Sequence, residues 1–425
     1  MNDCTANHTF HNWAQTIACK PASYCQPDTE NKVNAIVKDA LARKQHVRVV
    51  GAGHSWSPLV LTRDVLVNLD RLDMVHADVP NLKALVQGGI RLKNLIPRLR
   101  QDKLALANLG SITEQSIAGA VSTGTHGTGL TLGSLSSQII GMRLVTGTGD
   151  SISITDQDAD LLNAARLSLG ALGIFTEVTI QCVADYDLEY TTYWCKFDDV
   201  VDQIDTLAQQ HKRVKFWWLI PQIGSKDNVI MTTENPPGAP AAGPAGNHSA
   251  LPMETDALLN NFFHLTGNAP GIHQFMKYTA PYNQVLTIPL VPIWHRECEY
   301  ALPVGKTAEA LRAFKRMVEE GDLSLTLPVE VRFAAQDNTL LSPAYHQDVC
   351  YIGVATQPNA NEVIERFEPI MKSLGGKPHW GKCFSLTRKE AQEMYPETYD
   401  KFKSLRQQLD PAGVFANEFI QQMFG

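Results

Sequence analysis

Two rhythms of hydrophobic and polar positions run along the first half of the chain. After Asp28, which the pattern places as an N-cap, Val33, Ile36, Val37 and Leu41 recur at helical spacing and predict an amphipathic helix. Val47-Arg48-Val49-Val50 reads as a short strand ending in Gly51-Ala52-Gly53-His54-Ser55, and Val65 to Leu69 reads as a second strand. Leu161 to Leu169 returns to helical spacing, Gly170-Ala171-Leu172-Gly173 is a turn, and Phe175 to Val183 alternates like a strand. From Gly88 to Gly149 the chain is crowded with Gly, Ser and Thr, yet it is too apolar for a linker. Beyond residue 183 the character changes. Residues 186–230 are aromatic and mixed, and strand-like and helical segments then alternate to the end. The run at 235–250, NPPGAPAAGPAGNHSA, is of low complexity and predicts a surface loop. These two halves suggest a cofactor half and a substrate half.

Composition narrows the possibilities. At 425 residues the chain has room for two or three domains, a large core and a sizeable pocket. Lys and Arg total 37 against 44 Asp and Glu, so there is no basic footprint for nucleic acid or an anionic membrane. The polar start lacks the apolar core of a secretion signal. The apolar stretch Val285 to Trp294 is cut by Pro289 and Pro292 and is too short to span a bilayer. The eight cysteines are scattered without a Cys-x-x-Cys pair. The expectation is therefore a cytoplasmic protein with free thiols, and neither a zinc site nor a disulfide framework. Without a secretion signal, the sequon Asn247-His248-Ser249 is taken as chance.

The strand followed by Gly51-x-Gly53 invites a dinucleotide reading, with Asp70 about where a ribose-binding acid would stand. Two features oppose it. Trp56 occupies the third glycine position, where close helix packing leaves no room for a side chain. The connection from Val50 to Val65 contains Pro58 and no helical periodicity, so it offers no crossover helix for a parallel pair. What remains is a tight loop whose N–H groups, with the Ser55 and Ser57 hydroxyls, suit a pyrophosphate. Residues 110–129, GSITEQSIAGAVSTGTHGTG, repeat that chemistry on a larger scale. Small residues let the backbone approach a flat ligand while hydroxyls and amides supply donors.

These residues carry a resemblance. Residues 47–57, VRVVGAGHSWS, resemble the FAD loop of the vanillyl-alcohol-oxidase-type (PCMH-type) flavoproteins, and residues 110–129 resemble the flavin-pocket segment of the same family. Phe10-His11-Asn12-Trp13-Ala14 is similar to the start of the aldonolactone oxidases, and residues 168–174, SLGALGI, to the close of their FAD domain. The C-terminal part adds residues 328–333 (PVEVRF), 340–343 (LLSP), 375–382 (GGKPHWGK), then Arg406 and 409–417 (LDPAGVFAN), in the family order.

The resemblance implies an α+β fold of two domains. Residues 1–183, rejoined by 379–425, would bind FAD, and residues 184–378 would form an antiparallel-sheet cap over it. His54 would bond covalently to the flavin 8α-methyl group, the alternative being a histidine that only hydrogen-bonds the loop. Val50, Gly51, Ala52, Gly53 and Ser55 would complete the FAD loop. Gly110, Ser111, Ser116, Ala118, Gly119, Ser122, Gly124, Thr125, His126 and Gly127 would contact the cofactor from the second segment, with Ile174 and His379 beside them. Ser111 would also face the substrate, and Gly110, lacking a methyl, would leave dioxygen a path to the flavin.

Glu330 and Arg332 lie two apart in a β-leaning stretch, so both project from one face, as a structural ion pair or a substrate clamp. The resemblance favours the clamp, with Arg332 donating to substrate oxygens and Glu330 orienting it. Lys382 would point at the flavin N1–C2=O edge and stabilise charge that accumulates there on reduction. Related polyol oxidases carry a histidine between the Glu-x-Arg strand and the His-Trp-Gly-Lys motif. Here that stretch is Cys350 to Ala355 without a histidine, and His346 falls in the preceding loop. This argues against a simple alditol. The implied reaction is oxidation of L-gulono- or L-galactono-1,4-lactone at C2, with dioxygen reduced to hydrogen peroxide. The runners-up are an alditol or sugar oxidase and an aldonolactone dehydrogenase with another acceptor.

Overall fold

The computed structural model describes residues 3–219, 228–239, 277–288, 293–321, 325, 327–357 and 361–425. Residues 240–250 of the low-complexity run, its sequon, and Pro289 and Pro292 lie outside them.

The predicted helix forms over Glu30–Ala42 and buries Val33, Ile36, Val37 and Ala40. Its N-cap is Thr29, whose hydroxyl accepts from Lys32 N, rather than Asp28. Asp28 is held instead by Lys32 and Arg71. The helix packs on a four-stranded sheet ordered Cys4–Thr5, Ser23–Cys25, Val65–Asn68, Val47–Val50. Val47–Val50 and Val65–Asn68 pair in parallel, with Val47 opposite Val65. The connection between them is helix-free, as its sequence predicts, and an extended coil carries the chain back for the parallel return. The later helix is shorter than the periodicity, Ala159–Ala165, and the strand after it is Ile174–Gln181.

The free-thiol expectation is corrected at one pair. Cys4 and Cys25 form a disulfide between neighbouring antiparallel strands, where they are register partners with Cα atoms 4.0 Å apart. Pairing across strands is invisible in linear spacing. The other six cysteines are free. The cysteine argument for a cytoplasmic setting therefore falls away.

A second sheet of five antiparallel strands runs in the order Ser151–Ile154, Ile139–Val145, Ile174–Gln181, Lys83–Gln87, Val75–Asp78. The C-terminal segment returns to the first sheet, where Val414 and Phe415 join its core. Arg48 fixes this junction from inside. Fully buried, it donates to the carbonyls of Leu59, Leu169, Gly170 and Phe415.

Residues 187–378 carry an eight-stranded sheet, antiparallel at every described pairing. Its order is Lys277–Pro281, Asp187–Lys196, Asn228–Asn235, Val214–Leu219, Val329–Ala334, Val349–Thr356, Arg296–Pro303, Lys377–Pro378. Period-two alternation divides its residues between two faces. One face presents Phe216, Trp218, Val331, Phe333, Ile352 and Tyr300 to the helices Thr307–Glu320 and Glu362–Ser373. The opposite face carries Lys215, Trp217, Glu330, Arg332, Glu297 and Glu299, in register across Gly353 and Ala355. A charged sheet face buried against the rest of the chain marks the site. Among the described residues no helix is long and apolar enough to cross a membrane.

Candidate active site

Of the residues that the resemblance assigns to cofactor or substrate, all but Gly124 and Gly127 line one cavity of about 300 Å³, while Ser57 of the first loop lies outside its lining. Gly124 instead ends the helix Ile117–Thr123 with φ 77°, a conformation that glycine adopts without strain. Gly127 sits beneath Asn108, where an added Cβ would lie 2.2 Å from Asn108 Oδ1. These two glycines shape the segment from behind the cavity wall.

Three segments distant in sequence meet there. The loop after Val50 lies against the second glycine-rich stretch so closely that a Cβ on Gly51 would stand 2.3 Å from Ser116 Oγ. Ser116 caps the helix Ile117–Thr123 by accepting from Gly119 N at 3.3 Å. The C-terminal motif joins the same loop: Trp56 N donates to Gly381 O at 2.9 Å and the Ser57 hydroxyl to Trp380 O at 2.7 Å. Gly53, at φ 71°, turns the loop under Phe10 and gives its carbonyl to Trp13 N.

His54 faces the cavity with its ring stacked on Trp13, centroids 5.4 Å apart. Burial lowers its pKa to about 4, so the imidazole is neutral at pH 7 and keeps a lone pair for bonding. Trp13, Trp56 and His295 form an aromatic group around it. Lys382 lies over the Trp56 ring at 4.6 Å and in contact with Glu297. Burial lowers its pKa to about 7. Glu297 in turn meets His295 Nε2 at 2.9 Å.

Glu330 and Arg332 share one face of Val329–Ala334, as their spacing predicts, with Arg332 Nε 3.4 Å from Glu330 Oε2. The shorter bond of Arg332 goes elsewhere, from Nη2 to Glu299 Oε1 at 2.6 Å. Arg332 holds Glu299 well below the usual carboxylate range despite burial, and the two acids push Arg332 up. His126 stacks on Tyr351 at 3.6 Å and donates from Nδ1 to Gly127 O, leaving Nε2 3.4 Å from Glu299 Oε2. His379 Nδ1 accepts from Gly381 N, which keeps that imidazole neutral, and burial lowers its pKa to about 4. His126, Glu299 and His379 bring ligand atoms within 4.8 Å of one another. The Arg332 guanidinium already compensates the carboxylate, however, which opposes a second cation there.

The sequence reading missed Glu297, Glu299, His295 and the tryptophans. Glu297-Cys298-Glu299 carries the same i, i+2 pattern as Glu330-Val331-Arg332, and that signal would have placed both acids on the cavity face. His346 is exposed in a loop, bonded to Asn338 and away from the cavity, as expected.

The family model described as D-arabinono-1,4-lactone oxidase matches residues 178–423, and that described as FAD binding domain matches residues 21–155. The chain is 32% identical to an L-gulonolactone oxidase of Scyliorhinus torazame, with 100% of each covered. It is 30% identical to an L-gulono-1,4-lactone dehydrogenase of Mycobacterium tuberculosis, over 98% of this chain and 99% of that one. Among solved structures, the cholesterol oxidase of B. sterolicum shares the fold with a TM-score of 0.81 at 18% identity, over 99% of this chain and 97% of the other.

Proposed function

The chain belongs to the D-arabinono-1,4-lactone oxidase family and carries an FAD-binding domain; from that premise we propose that it is an FAD-dependent oxidase of aldono-1,4-lactones. The substrate is L-gulono- or L-galactono-1,4-lactone, oxidised at C2 to a keto-lactone that tautomerises to ascorbate. In this reading residues 1–183 with 379–425 form the FAD unit, and residues 184–378 form the cap that closes over it. The observation that carries it is the convergence of the Gly51–His54 loop, the 110–126 segment and the Glu330, Arg332 and Lys382 set on one cavity.

The residues present fit the cofactor. Two glycine-rich backbones approach each other with no room for a Cβ at Gly51, which suits a thin planar ligand and its phosphates. When bound, FAD would supply the two-electron acceptor for the C2–H bond of the lactone and, with dioxygen as final acceptor, the route to hydrogen peroxide. His54, neutral and at the loop end, has the lone pair needed for an 8α-histidyl bond. Arg332, held by acids on two sides, presents a fixed planar donor to lactone oxygens. Lys382 brings an ammonium to the cavity, where it favours negative charge. Ser111 ties the FAD segment to the cap through its carbonyl, which accepts from Ile288 N at 2.8 Å. Gly110 lines the cavity beside Thr125, and in this reading its bare position leaves dioxygen a path to the flavin.

A panel of aldonolactones and alditols read by peroxide release tests the substrate class, and lactones are expected to lead. Acid precipitation tests the linkage: the yellow colour should stay with the polypeptide, and His54→Ala should release it. Free FAD in the supernatant of the unaltered protein would sink the covalent bond.

A further inference from the structure

The acid that holds Arg332 most tightly is not its near neighbour in sequence. Glu299 lies two strands away, on Arg296–Pro303, with Val349–Thr356 between. Glu299 and Glu330 are both in register with the same residue of that middle strand, Gly353. A Cβ on Gly353 would stand 3.6 Å from Glu299 Oε1 and 3.7 Å from its Cγ, so any longer side chain would meet the carboxylate. The bare backbone lets Glu299 reach across to Arg332. Both partners are buried, Glu299 to 2% and Arg332 to 9% exposure.

We infer that Glu299 is the positioning residue of the substrate clamp: it fixes the guanidinium through Nη2, so that the Nε edge is directed towards Glu330 and the lactone. This rests on the reading of Arg332 as the clamp. Nη1 leans on His126 O at 3.4 Å, so two nitrogens are anchored on the side away from Glu330. Nε makes no hydrogen bond among the described residues and is 3.4 Å from Glu330 Oε2. Glu299 Oε2 faces His126 Nε2 at 3.4 Å, whereas Oε1 takes the shorter bond, from Arg332 Nη2 at 2.6 Å. The tighter bond of the carboxylate is therefore the one to Arg332. Glu330 is more exposed, at 27% of its side chain, and is free to meet substrate.

The test titrates L-gulono-1,4-lactone into dithionite-reduced, FAD-loaded enzyme under nitrogen, where no turnover occurs, and reads the flavin absorbance. Glu299→Gln should weaken binding roughly tenfold, the loss of about one charged hydrogen bond. Steady-state KM should rise with it, while kcat changes less. In an Arg332→Met background the same substitution should change affinity by less than about twofold, because nothing remains to position. Gly353→Val keeps both charges yet intrudes between them, and it should reproduce the loss only where Arg332 is present. It decides the matter if Glu299→Gln fails to load FAD. Equal weakening in both backgrounds, or none from either substitution, would overturn the inference. If Arg332→Met itself leaves affinity unchanged, the clamp reading fails instead.

Discussion

Replacing Gly51 by alanine probes the cofactor cradle at its tightest point. The new carbon would stand 2.3 Å from Ser116 Oγ and 3.3 Å from Ser116 Cβ. Reaching an ordinary contact near 3.4 Å requires the two segments to part by about 1 Å, or Ser116 to turn away. Ser116 is 4% exposed and caps its helix through Gly119 N, so turning it forfeits an N-cap, about 1 kcal/mol. Forcing a methyl into packed surroundings adds about 1–3 kcal/mol. Gly51→Ala should therefore lower stability by about 2–4 kcal/mol and leave well under half of the flavin on the purified protein, judged by absorbance per polypeptide. Adding Ser116→Ala removes the oxygen and should return flavin content to the level of Ser116→Ala alone. A Gly51→Ala protein with full flavin and an unchanged melting temperature would refute the contact and the cradle with it.

Gly110→Ala brings a methyl to 2.9 Å from Thr125 Cγ2 and should slow reoxidation by air much more than reduction by lactone, the two half-reactions being followed separately by stopped flow. Equal slowing would mean a general packing defect. Lys382→Met should slow anaerobic flavin reduction on the order of 10²–10³-fold with little change in lactone affinity. Because it strands Glu297, the double change with Glu297→Gln should recover stability but not rate. Acid should destabilise the fold through His379. Its pKa is about 4 in the folded chain against 6.5 unfolded, so the unfolded chain binds the proton first as pH falls. The contribution is whole above about 6.5 and is lost between there and about 4, near 2 kcal/mol at pH 5 by the linkage relation. Thermal unfolding at pH 7 and pH 5 should therefore show a smaller loss for His379→Gln than for the unaltered chain.

Local chemistry was legible in the sequence wherever neighbours in the chain are neighbours in space. The amphipathic helix after residue 28, the glycine loop after Val50 and the Glu-x-Arg face each depend on spacing of a few residues, and each appears where its pattern puts it. What escaped depends on pairing between remote strands. Cys4 finds Cys25 only through strand register, and Glu299 finds Arg332 only across Gly353. The parallel pairing of Val47–Val50 with Val65–Asn68 is likewise a matter of register, which the helix-free connection between them does not announce. Gly124 and Gly127 belong to the right segment but serve its turn and its close packing. A glycine's role depends on φ and on the atoms facing it, and neither is written in composition.

If this cavity oxidises an aldono-1,4-lactone with bound FAD, the flavin colour must report it. The most direct test is to mix the flavin-loaded protein with L-gulono-1,4-lactone or L-galactono-1,4-lactone under nitrogen and follow the visible flavin absorbance, then admit air. At least one lactone should bleach the flavin without any other reagent, colour should return on aeration, and one hydrogen peroxide should appear per lactone consumed. A flavin that stays fully coloured with both lactones would contradict the proposed oxidation.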